Sequence, residues 1–71
     1  MIDIKHYTKE AIRLLSEHKA DESEYVRKSV GNALRDISKK YPELIKNELI
    51  KWKLDTKEIN QVYKLASKFV Q

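Results

Sequence analysis

Seventy-one residues with 15 Lys or Arg against 11 Asp or Glu, a formal net charge of +4 and no cysteine allow one small domain and no disulfide framework. No apolar run approaches the roughly 20 residues that a membrane helix needs, Met1 to Lys5 lacks the layout of a secretory signal, and two histidines without cysteine make no closed zinc site. The expectation is a cytoplasmic chain without membrane partner, metal or cofactor, and one Gly, one Pro and helically spaced apolar residues point to an all-α domain.

The first helix is predicted over about residues 3–17, with Asp3 as its N-cap. Ile4, Tyr7, Ala11, Leu14, Leu15 and His18 fall on one side at three-and-four spacing, which marks them as the packed face. Ile12 departs from that stripe. His18 continues the apolar line near the helix C-terminus and reads as structural, and His6, off the stripe, reads as a surface residue.

The second helix is predicted over about residues 22–40 and carries the most information. Asp21 with Glu24 three positions on is a capping-box pattern, and Pro42 stops the helix at Tyr41 and suits the first turn of the next one. Val26, Val30, Ala33, Leu34, Ile37 and Tyr41 line its apolar side. Roughly opposite, Lys28, Asn32, Arg35 and Lys39 share a narrow sector and form a polar, basic row. Gly31 and Ser38 occupy one flank of this row and Ser29 the other. Gly31, the only glycine, costs about 1 kcal/mol relative to Ala inside a helix; it would let a neighbouring helix or a ligand backbone come close, and helix packing is the favoured reading. From Val26 to Lys40 there are five basic residues and one acid, Asp36, which reads as an ion-pair partner; the remainder is balanced at ten of each sign. The whole positive excess lies on one helix, which suits a polyanionic partner.

A third helix is predicted over about residues 42–52, with Ile45, Glu48, Leu49 and Trp52 on one side and Leu44 and Ile50 apart from it. Trp52 beside Leu54 reads as a packing anchor rather than a base-stacking platform. Asp55 and Glu58 repeat the capping-box pattern and open a fourth helix over about residues 56–70, whose packed side is Ile59, Val62, Tyr63, Ala66, Phe69 and Val70. The chain thus reads as one domain of two antiparallel helical hairpins. Periodicity alone admits either a compact four-helix bundle or a short α-solenoid with open ends. No catalytic constellation is present: there is no nucleophile paired with a base, no Gly-rich phosphate loop and no His-Glu-x-x-His, and the paired carboxylates sit at helix starts.

The run from Tyr25 to Pro42, with its Arg-Lys-x-x-Gly-x-x-Leu-Arg core at Arg27 to Arg35, resembles the late helical repeat of the DNA alkylation repair enzymes, glycosylases built from HEAT-like repeats. Gln61 to Phe69 looks like a C-terminus of that family, so that the likeness covers about two-thirds of the chain. The resemblance implies a HEAT-like α-solenoid fragment whose concave surface grips duplex DNA by its backbone, with Lys28, Asn32, Arg35 and Lys39 facing the DNA. In glycosylases of the family the position matching Asn32 carries a tryptophan against the damaged nucleotide, whereas a sister group has asparagine, as here. The family's catalytic carboxylate belongs to earlier repeats, so the resemblance implies a DNA-binding module without a complete active site. The alternative is a helical-repeat module that recruits a protein or forms a homo-oligomer through the open solenoid ends.

Overall fold

Ser23, not Asp21, caps the helix around which the fold is assembled. In the computed structural model, which describes the backbone of residues 4–70 and the side chains of residues 7–70, the four helices are α1 (Ile4–Glu17), α2 (Glu24–Lys40), α3 (Pro42–Ile50) and α4 (Lys57–Ala66). Ser23 Oγ accepts from the Val26 N–H at 3.3 Å, while Asp21 Oδ1 accepts from the Ser23 N–H at 2.9 Å and shapes the turn that precedes the helix. The same correction applies to α4, where Thr56 Oγ1 accepts from the Ile59 N–H at 3.1 Å. In both turns a hydroxyl residue closer to the helix takes the cap that the sequence pattern gives to an aspartate. Pro42 is the first residue of α3, as expected, and Tyr41 ends α2 with its N–H on the Ile37 carbonyl at 2.8 Å. The expected cap at Asp3 lies outside the described residues, as do the side chains of Ile4 and His6.

The helix pairings decide between bundle and solenoid. In an up-and-down bundle α2 and α4 sit on a diagonal. Here α2 against α4 is the most extensive interface, α1 meets α2 and α3, and α4 makes little contact with α1 or α3. Arg27 meets Gln61, the backbone of Gly31 lies against Leu65, and Lys39 reaches Phe69 just past the end of α4; these positions advance in the same direction along the chain, so α2 and α4 run parallel. Like helices of successive hairpins therefore lie side by side in two layers, which is the helical-repeat arrangement.

Ile12, Val30, Leu34, Ile45, Leu49, Trp52, Val62 and Ala66 form the core. Each large member contributes about 1.5–3 kcal/mol by leaving water. Trp52 is a packing anchor, as expected, and the Lys19 ammonium lies 5.7 Å from its ring centroid. The packed side of α1 is not the expected one: Ile12 is only 3% exposed, whereas Tyr7 and Leu14 are 69% and 53% exposed and His18 is on the surface. Two apolar sectors compete on this helix, and the one holding Ile12 and Leu15 faces α2 and α3. Phe69 likewise leaves the expected stripe of α4, because the helix ends at Ala66 and the chain continues in turns, with the Lys68 N–H on the Leu65 carbonyl and the Val70 N–H on the Ser67 carbonyl. Helical phase no longer applies there.

Candidate functional site

The burial of Gly31 and Ser38 turns α2 about its axis relative to the expectation. A side chain at Gly31 would put its Cβ 2.7 Å from Leu65 Cβ, closer than carbon atoms approach, so the missing side chain is what lets α4 lie against α2. Ser38, two turns further along α2, is also buried, its hydroxyl donating to the Arg35 carbonyl at 2.5 Å. The buried sector therefore extends past Val30 and Leu34 toward α4. Lys28, Asn32, Arg35 and Lys39 flank the α2–α4 interface instead of lying diametrically opposite the core.

Each of the four has a distinct setting. Lys28 is exposed, with Nζ 3.6 Å from Glu24 Oε1 one turn back. Asn32 is exposed and makes no hydrogen bond among the described residues. Arg35 is the most enclosed, with 29% of its side chain accessible; its Nη2 lies 3.5 Å from Asp36 Oδ1, and its Nε is buried without a hydrogen-bond partner among the described residues. Lys39 is exposed, with Nζ 4.0 Å from the same Asp36 oxygen and 5.2 Å from the Phe69 ring centroid. Asp36 is thus the expected surface ion-pair partner. These pairs are long and solvated, and such pairs contribute about 0–1 kcal/mol, too little to withhold the cations from a phosphate.

Facing this row is a second one. Lys57, Gln61, Lys64 and Lys68 repeat the spacing of Lys28, Asn32, Arg35 and Lys39: four, three, then four residues, with cation, amide, cation, cation in that order. The amide at Gln61 accepts from Arg27 Nε at 3.4 Å and donates to Glu24 Oε1 at 3.5 Å, so the two helices are tied at this level. Between them runs an open cleft of about 760 Å³, lined by Lys28 and Asn32 from one helix and by Lys57, Gln61 and Lys64 from the other, with Glu24 and Glu58 also in its lining. Lys57 and Lys64 have no acidic partner among the described residues. Arg27, although it lines the cleft, is a brace: Nη1 donates to the carbonyls of Asp21 at 2.7 Å and Glu22 at 3.1 Å. The sequence carried the signal for the second row in its matched spacing, but the acids Asp55, just before α4, and Glu58, in its first turn, offset most of its charge in a segment-by-segment count. The sequence-predicted row is only half brought together by this cleft: Lys28 and Asn32 line it, while Arg35 and Lys39 lie further along α2.

Among the described residues no group of three or more His, Cys, Asp or Glu could hold a metal ion, and no helix is long and apolar enough to cross a membrane.

The profile of the family described as DNA alkylation repair enzyme matches residues 4–68. Two solved structures are similar along nearly the whole chain, one described as AlkD2 from Streptococcus mutans and one as smu.31 from Streptococcus mutans UA159. Each is 69% identical over 94% of this chain, with a TM-score of 0.90, and the matched region is 32% of the first and 33% of the second. The chain therefore spans about a third of the length of the structures it resembles. Among curated proteins there is no significant match.

Proposed function

This chain belongs to the DNA alkylation repair enzyme family, and from that premise we propose that it is a HEAT-like module that contacts the phosphate backbone of duplex DNA along the α2–α4 groove. The observation that carries this reading is the pair of equally spaced polar rows along adjacent parallel helices: Lys28 and Asn32 line one cleft with Lys57, Gln61 and Lys64, and Arg35, Lys39 and Lys68 continue the rows beyond it. Lys28, Arg35, Lys39, Lys57, Lys64 and Lys68 supply charge, and Asn32 and Gln61 supply amides that can donate to phosphate oxygens. Excision of a base is not assigned to these 71 residues. Their part is to hold DNA, and the carboxylate chemistry of the family belongs to repeats outside them.

The test is a titration of duplex DNA followed by fluorescence anisotropy at several salt concentrations. Affinity falls steeply as salt rises, and Arg35→Ala lowers both the affinity and the slope of log K against log salt, by about 0.9 per lost phosphate contact. Salt-insensitive binding, or none at micromolar protein, refutes the reading.

A second reading has its own support. Tyr7 and Leu14 form an exposed apolar face on α1, of the kind that packs against another helix in a repeat array. In this reading the chain associates with a second copy or another helical protein through that face. Sedimentation equilibrium separates the two: a strict monomer across a wide concentration range removes self-association.

A further inference from the structure

Beyond the cleft, in the turn after α4, Phe69 has 51% of its surface exposed and is not among the residues packed against the core. The ammonium groups of Lys39 and Lys68 lie 5.2 Å and 5.7 Å from its ring centroid. One lysine comes from each polar row, so both lines of cations end at a single accessible aromatic ring. The neighbouring Val70 is half-buried and packs against the core, so the turn is anchored while the ring is left outward.

We infer that Phe69 with Lys39 and Lys68 forms a receptor for one unpaired nucleotide, so that the DNA this groove prefers is a duplex interrupted by an unstacked base. The inference rests on the proposed DNA-binding groove and specifies its substrate class. A paired base inside a duplex has both faces covered by its neighbours and offers no surface to Phe69. A bulged or extruded base has a free π-face, every base has one, and an accessible ring beside cations is the platform that single-stranded segments use. When a base lies on Phe69, the two ammonium groups move from the ring to the phosphates on either side of that nucleotide, since an anion attracts them more strongly than a ring quadrupole does.

The experiment compares a fully paired DNA duplex with the same duplex carrying a short central bulge, each labelled for fluorescence anisotropy. The wild-type chain binds the bulged duplex about tenfold more tightly, the size of a single base–aromatic stack. Phe69→Leu removes that preference and leaves the affinity for the paired duplex unchanged, and Phe69→Trp retains it. Circular dichroism of both variants reports their helicity, which an exposed residue outside the core leaves intact. Equal affinity of the wild type for the two DNAs, or a preference that survives Phe69→Leu, overturns the inference while the groove reading stands. Failure of both DNAs to bind removes the groove reading itself, and this inference falls with it.

Discussion

Replacing Gly31 by alanine tests whether the α2–α4 contact is as close as the groove requires. The new Cβ lies 2.7 Å from Leu65 Cβ and 2.9 Å from Leu65 Cδ1. Carbon atoms pack at about 3.5–4.0 Å, so roughly 1 Å of extra separation has to be found. Leu65 Cδ1 can swing aside by a rotamer change, but Cβ is fixed to the backbone of α4, so the helices themselves must part. Overpacking costs about 1–3 kcal/mol in general, and a clash with a backbone-fixed Cβ belongs to the upper part of that range, about 2–3 kcal/mol; the better helix propensity of alanine returns about 1 kcal/mol, leaving a net destabilisation of about 1–2 kcal/mol. A domain of this size has about 4–10 kcal/mol in total, so the loss is readily measured. Urea unfolding followed by circular dichroism should show the midpoint falling by roughly 1 M, with an unchanged slope. Adding Leu65→Ala removes the contacts at 2.9 and 3.4 Å but not the one at 2.7 Å, and so restores only part of the loss. A midpoint unchanged or raised by Gly31→Ala would falsify the close approach, and with it the placement of the two polar rows along one cleft.

Other outcomes follow from particular residues. Ile12→Ala destabilises by about 2–5 kcal/mol because it empties a core position, whereas Leu14→Ala changes the urea midpoint by no more than an ordinary surface substitution; the opposite ranking restores the packed side of α1 read from its periodicity. Thr56→Ala costs about 1 kcal/mol by removing the cap of α4, while Asp55→Ala, one residue further out, costs clearly less in the same unfolding assay. Lys64→Ala weakens binding of every duplex sequence alike and lowers the salt slope by about 0.9; sequence-dependent loss with an unchanged slope would show that Lys64 contacts a base edge, not a phosphate.

Much of the architecture is legible in the residues themselves. Pro42 sets the α2–α3 boundary, the Val30 and Leu34 side of α2 is core, Trp52 is an anchor, and a lone helical glycine points to a close helix neighbour. What the sequence leaves open are choices between comparable local options. Asp21 and Ser23 can both cap a helix, and Asp55 and Thr56 likewise; the backbone path of the turn selects the hydroxyl, and nothing in the spacing does. On α1 the sector led by Leu14 is the more apolar by count, and only the positions of α2 and α3 decide that the sector of Ile12 and Leu15 is the buried one. The place of Arg35 and its neighbours relative to the core has the same origin: a helical wheel ranks side chains by hydropathy and gives Gly31 and Ser38 no weight, yet these two small residues draw α4 in and rotate the buried sector toward the basic row.

That rotation also explains why two rows serve better than one. Arg27 opposite Gln61 and Gly31 opposite Leu65 set the register between α2 and α4 at 34 residues, whereas the matching members of the two rows, such as Lys28 and Lys57, are 29 apart. The rows are therefore staggered by five residues, about 7.5 Å along the helices. Lys64 consequently lies level with the stretch between Lys28 and Arg35 instead of facing either cation. Interleaved cations repel one another less than opposed ones and spread the positive potential along the groove, which suits a partner whose charge is itself a line. Had the rows been in register, pairs of like charges would have met across the cleft with only Glu24 and Glu58 to offset them. The stagger, with the absence of a side chain at Gly31, lets two basic helices lie close enough to form one surface.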